Sequence, residues 1–203
     1  MADPYPQSPC PFCAIASAFP SPPAASTPSP GGLNENCSAL HECIPENPNS
    51  DLVQPNAHVV LAAPDVVAFL DVMPMTAGHL LVASRAHREK VEDLDRVESM
   101  EVGFWLPLIA RAVANVVGVT DYNIVQNNGI RAAQVIPHVH FHIIPRPGTL
   151  PTLRHMSWRM FGRGQREDLD DDEGAALAGH LREALRAELD RRFPNEGKPS
   201  SKL

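Results

Sequence analysis

Aromatic residues are scarce in this chain: Phe, Tyr and Trp together make up 5% of it, with two tryptophans and two tyrosines. Its core must therefore be built mainly from aliphatic side chains. Positive charge is also in deficit, with 17 Lys and Arg against 24 Asp and Glu and a net charge of −7. The resulting pI near 5.7 argues against non-specific binding to nucleic acid or to an anionic membrane surface, both of which require a basic face. Long apolar runs are missing as well. Asp65 and Asp71 interrupt the best stretch, between Val59 and Val72, well short of the roughly 18 residues of a membrane span. The opening Met1-Ala2-Asp3-Pro4 has neither the basic region nor the apolar stretch of a secretory signal, so a soluble protein is expected. Its four cysteines are then read for a reducing compartment, as metal ligands or idle thiols rather than disulfides.

Proline, by contrast, is abundant: 21 residues, nine of them among the first thirty, against an ordinary share of about 5%. With 43% hydrophobic and 20% charged residues over 203 positions, the chain reads as globular, one domain with extensions or at most two small ones. Residues 18–56 are rich in Pro, Ser and Asn, which predicts a mostly irregular insertion. It separates residues 1–17 from a core at 57–150. Ala57–Ala63 and Val66–Val72, flanking Pro64-Asp65, predict a hairpin, and His79–Ser84 a third strand. From Asp93, Leu94, Val97, Met100, Phe104, Leu108 and Ala112 recur at intervals of three and four. That spacing predicts a helix of about six turns, kinked by Pro107. Asp121–Asn127 and His138–Ile144 are further expected strands. A loop and helix follow over 151–194, with acids first and arginines last in the helix to suit its dipole, before a flexible tail at 195–203.

His138-Val139-His140-Phe141-His142-Ile143-Ile144 carries the chemistry. Side chains alternate along a strand, so three imidazoles share one face while Val139, Phe141 and Ile143 pack on the other. By itself this pattern suits a metal-binding tract, a half-solvated polar face or a catalytic cluster. Its context narrows the choice. Phe69-Leu70-Asp71-Val72-Met73-Pro74, Gly78-His79-Leu80-Leu81-Val82, Arg85-Ala86-His87 and Val125-Gln126-Asn127-Asn128-Gly129 precede it in order. Together with Cys10–Ala16 these motifs make the chain resemble the histidine triad family of nucleotide hydrolases and transferases, in its Hint-like branch of fungal and bacterial type.

The resemblance implies an α+β fold, a five-stranded antiparallel sheet with a long helix and a C-terminal helix, commonly paired into a homodimer. It further implies that His140 attacks the α-phosphorus of a nucleotide derivative, forming a nucleotidyl-histidine that water then hydrolyses. His138 would orient it and His142 contact phosphate oxygens, while Asn127 and Gln134 sit at positions supplying further phosphate contacts. Asp71 matches the acceptor for ribose hydroxyls, and Phe12, Phe69 and Val72 would line the slot for the base, although plain core roles for these three are equally open. The chain departs from its relatives at Ala133 and Val135, flanking Gln134, where Gly and a hydroxyl residue are common. Val135 has no proton to give a leaving group, which puts any transfer of leaving-group preference in doubt.

Cys10-Pro11-Phe12-Cys13 has the spacing of half a zinc site. By resemblance, His79 and His138 would complete a structural tetrahedral zinc site, with no organic cofactor expected; reduced thiols without metal are the alternative. Cys37, His41 and Cys43 in the insertion are expected to be unused, His87 to lie near the sheet edge without a chemical role, and His58, His155 and His180 to face solvent. The final Ser201-Lys202-Leu203 matches the signal read by the peroxisomal import receptor, so a peroxisomal location is expected, with the cytoplasm as alternative. Two readings of function are carried forward. One is a hydrolase of adenosine phosphoramidates or dinucleoside polyphosphates, and the other a nucleotide-binding regulatory module with incidental turnover. A zinc-structured interaction protein would leave Asp71, Asn127 and His140 together unexplained.

Overall fold

A computed structural model of the chain describes residues 9–23, 37–148 and 167–194. His155 and Ser201-Lys202-Leu203 lie outside the described residues. The elements run α1 (Pro11–Ala18), α2 (Cys37–Glu42), β1 (Val59–Ala62), β2 (Val66–Leu70), β3 (Leu80–Ser84), α3 (Arg96–Val117), β4 (Tyr122–Gln126), β5 (His140–Pro145) and α4 (Asp171–Arg192). The strands form one antiparallel sheet in the order β1-β2-β3-β5-β4, so the expected α+β architecture is the one observed.

Both faces of the sheet are covered, which is why β1, β2 and β3 read as nearly unbroken apolar runs rather than alternating ones. Val66, Ala68, Leu70, Leu80, Val82 and Ile143 pack against α3 and α4, with Trp105, Leu108, Leu181 and Leu185. Val67, Phe69, Leu81 and Ala83 point the other way, onto Phe12, Ile15, Ala16 and Phe19 of and beside α1. Each such aliphatic or aromatic side chain taken fully out of water contributes about 1.5–3 kcal/mol. The α1 face is the one that matters for function, because the alternation along β5 turns His140 and His142 toward it while Ile143 goes to the larger core.

Helix α3 starts where Asp95 accepts from the backbone N–H groups of Val97 and Glu98 while Glu98 accepts from Asp95 N–H, a reciprocal cap of the orphan donors. It ends at Gly118, whose φ of +66° suits glycine. Its buried side differs from the expected stripe. Glu98, Glu101, Val102, Trp105, Leu108, Ile109, Ala112 and Val113 face inward, whereas Val97 is exposed and Met100 and Phe104 are half-buried. The reason is that the two buried acids are paired: Glu98 takes a two-pronged bond from Arg88 Nε, and Glu101 accepts from Asp65 N–H. A reading by hydrophobicity excludes both.

The described part of the insertion, residues 18–23 and 37–56, is not wholly irregular. Within 37–56, α2 is followed by a short 3-10 turn at Ser50–Leu52, and Cys43 and Ile44 join the larger core. Cys43 is neither loose nor metal-facing: its carbonyl accepts from Ala62 N–H on the edge of β1, and its thiol lies 3.6 Å from Ala39 O. His41 pairs with Asp190 of α4 at 3.0 Å. A second expectation also fails: His58 does not face solvent but is buried, 3.5 Å from Asp171 Oδ1 and pressed against Gly174. In both cases α4 supplies the partner surface.

Candidate active site

Gly78, with a φ of +81°, brings the chain into β3 so that His79 enters beneath the β2–β3 turn, and β3 pairs with β5 through Leu81 opposite His142 and Ala83 opposite His140. The three triad residues occupy distinct surroundings. His138 and His140 are buried and His142 is half-buried.

His140 Nδ1 lies 2.6 Å from the carbonyl oxygen of His138. A carbonyl only accepts, so the proton is on Nδ1 and the lone pair on Nε2 is left free. Burial pushes the His140 pKa below its ordinary value, although the bond to His138 works against that shift. The imidazole is therefore neutral and nucleophilic at pH 7. Its ring meets Phe12 edge-on at 5.0 Å and His142 at 4.8 Å. Phe12 in turn meets Phe69 at 5.3 Å, so the two aromatics form an apolar wall beside the triad, while Val72 is exposed.

His138 faces the opposite way. Its Nε2 donates to Ser84 O at 2.7 Å, leaving Nδ1 directed at Cys10 Sγ, 3.3 Å away, and Cys13 Sγ, 3.6 Å away. The third neighbour is His87, whose Nδ1 is 3.3 Å from Cys13 Sγ. One donor atom from each of Cys10, Cys13, His87 and His138 lies within 4.8 Å of the others. This corrects the expected ligand set: His87 belongs to the cluster and His79 does not. His79 sits on the far side of the triad, with Nε2 3.0 Å from His142 Nδ1 and Nδ1 3.4 Å from Asp71 Oδ2. The two-thiol, two-imidazole set suits zinc and, with four protein donors, a closed structural site. Burial drives the His138 pKa down to about 4, so its lone pair is available for a metal. Burial, together with Cys10, pushes the Cys13 thiol up to about 11, and a bound cation would reverse that penalty.

Gln134 takes its partners from the main chain. It is buried, and its amide is engaged by the main chain: Oε1 accepts from Gly129 N–H, and Nε2 donates to Glu89 O at 2.6 Å and lies 3.5 Å from His138 O. It braces the loop that carries the triad. Asn127, half-buried at the end of β4, accepts through its carbonyl from Gln126 Nε2. Asp71 accepts from Met73 N–H at 2.8 Å, and the exposed Val135 stands with 78% of its surface open. Sequence reasoning missed Ser84 and Arg88. The first fixes the His138 tautomer, and the second anchors α3 through Glu98 while its carbonyl accepts from Val139 N–H. No spacing signal marks either, since each acts through a backbone carbonyl, and Arg88 through Glu98 as well.

Comparison with known proteins agrees with this arrangement. Residues 52–149 match the HIT domain. The chain is 42% identical over 81 residues to an adenosine 5'-monophosphoramidase of Schizosaccharomyces pombe, covering 40% of this chain and 58% of that protein. It is 40% identical over 92 residues to an uncharacterized HIT-like protein of Methanocaldococcus jannaschii, covering 44% and 69%. The match to the yeast protein thus spans less than two-thirds of that relative's length. Among solved structures, a hypothetical histidine triad nucleotide-binding protein from Sulfolobus tokodaii superposes with a TM-score of 0.57 at 23% identity, covering 71% of this chain and 93% of that one. A Zn-bound histidine triad family protein from Mycobacterium smegmatis gives 0.51 at 24%, covering 77% and 94%. At these identities the structures speak for the fold. From the triad on β5, the matched sequence relatives and the shared fold, the chain belongs to the histidine triad family.

Proposed function

We propose that the protein is a nucleotide hydrolase working through a covalent histidine. The observation that carries this reading is the bond from His140 Nδ1 to the His138 carbonyl, which leaves Nε2 as a neutral, buried nucleophile beside an aromatic wall. In the first step His140 Nε2 bonds to the α-phosphorus of an adenosine derivative as the bond to the leaving group breaks, and the leaving group takes up a proton. In the second, water attacks the same phosphorus, and mononucleotide is released as the imidazole returns. His142 and Asn127 would accompany the phosphate oxygens, as donors fixed in advance of the charge they meet. Phe12 and Phe69 would take the base, with Val72 at the rim and Asp71 serving the ribose.

The relatives support a choice of substrate class. The yeast relative is an adenosine 5'-monophosphoramidase, and an adenylylsulfatase of Arabidopsis thaliana is 35% identical over 80 residues. Adenosine phosphoramidates are the first choice, and Val135, which has no hydroxyl to assist a poor leaving group, favours substrates whose leaving group departs readily. Comparing turnover of an adenosine phosphoramidate, a diadenosine polyphosphate and an adenylyl sulfate by the pure protein tests this. Turnover of none of them would reject the hydrolase.

In the same reading Cys10, Cys13, His87 and His138 hold a structural zinc that ties α1, and with it Phe12, to the sheet. A homodimer forms through β4, an edge strand with Tyr122 and Ile124 more than two-fifths exposed. The opposite edge is already blunted, since Val59 O accepts from Arg182 and Ala62 N–H donates to Cys43 O. Light scattering that finds a monomer would reject the dimer.

A further inference from the structure

Asp71, His79 and His142 each offer one donor atom, and these atoms lie within 4.8 Å of one another. Met75 N–H donates to His79 Nδ1 at 3.2 Å, so the His79 proton is on Nε2 and is shared with His142 Nδ1 3.0 Å away. Donors bound to a tetrahedral ion at about 2.0–2.2 Å stand roughly 3.3 Å apart. An ion replacing that shared proton therefore needs little movement of the two rings, and Asp71, whose Oδ2 is 3.4 Å from the other His79 nitrogen, Nδ1, supplies negative charge close by. Two imidazoles and a carboxylate suit zinc-like transition metals rather than Mg²⁺ or Ca²⁺.

The second observation is the way in. A cavity of about 700 Å³ is lined by Asp71 and His79, by Glu167, Asp168 and Asp170 just before α4, and by Glu173 in its first turn. Five carboxylates around one recess attract cations and repel phosphates. The recess therefore differs in kind from the apolar wall of Phe12 and Phe69.

We propose that Asp71, His79 and His142 form a second metal site, weaker than the thiol site, which takes a divalent ion of the zinc class through the acidic recess and inhibits the enzyme when filled. The binding half stands on this geometry alone. The inhibition rests on the proposed function, because a metal on His142 and Asp71 removes a phosphate contact and a ribose contact beside His140.

The test titrates full-length protein, already carrying its first equivalent of zinc, with Co²⁺ followed by absorption and with Zn²⁺ followed by calorimetry. A second saturable equivalent without a thiolate charge-transfer band is expected, retained in Cys10→Ser with Cys13→Ser and absent with Mg²⁺. His79→Asn should weaken it at least about a hundredfold, since loss of a mere hydrogen-bond partner of a ligand already costs about 10–100-fold. Asp71→Asn, close in shape, serves the same purpose should His79→Asn disturb folding. No second equivalent, or one of unchanged affinity in both variants, would overturn the site. Metal that binds there while turnover continues undiminished would overturn the inhibition. Binding in a protein with no turnover on any substrate would leave the metal site standing and reject the hydrolase instead.

Discussion

His138 and His140 are joined by a 2.6 Å hydrogen bond from the His140 ring to the His138 carbonyl, while the His138 ring turns away to the thiols of Cys10 and Cys13. One residue thus links the metal-ligand cluster to the nucleophile: its backbone sets the His140 tautomer and its side chain belongs to the other cluster. Loosening one cluster should be felt in the other.

The depressed pKa of His140 fixes the pH profile. Burial lowers it from an ordinary value near 6.5, and the neutral form is the nucleophile. Activity is full above the folded-state pKa and is lost as pH falls through it. The acid limb of kcat/KM for an acid-stable substrate should therefore bend below pH 6.5. A bend at or above that value would show that burial does not control the group.

The metal ligands can be told apart by substitution. At limiting zinc, His87→Ala should carry well under one equivalent per chain and melt lower than the wild type by about 4–8 °C, the shift that a loss of about 2 kcal/mol produces in a protein of this size. His79→Ala should keep that equivalent. Metal analysis showing the reverse pattern would restore His79 as the ligand.

Much of this was legible in the sequence, and the losses have physical causes. The strands, the long helix and the triad follow from period and motif, because β5 must alternate and α3 has a cap and a stop. His79 and His87 were interchanged because both are motif histidines beside β3, one before it and one after. Only the register of β3 against β5, Leu81 opposite His142 and Ala83 opposite His140, shows which end meets α1. The buried acids of α3, the docked Cys43 and the engaged amide of Gln134 were hidden for a common reason: each is satisfied by a backbone group or arginine distant in sequence.

The buried His58 leads to a stability test on α4. A Cβ at Gly174 would lie 2.5 Å from the His58 ring, so Gly174→Ala should cost about 1–3 kcal/mol by overpacking, despite alanine's better helix propensity. Combining it with His58→Ala should recover part of that loss. Urea unfolding in which Gly174→Ala is stabilising would show that α4 does not press on β1 at this point.

The central claim, a covalent nucleotidyl-histidine on His140, is tested most directly by rapid acid-free quenching during turnover of an adenosine phosphoramidate, followed by intact-protein and peptide mass spectrometry. The account predicts one adenylyl group per chain on the peptide carrying His140, and in His140→Ala no adduct and turnover lower by at least about a thousandfold. Full-rate turnover in His140→Ala, or an adduct on another residue that survives that substitution, would contradict it.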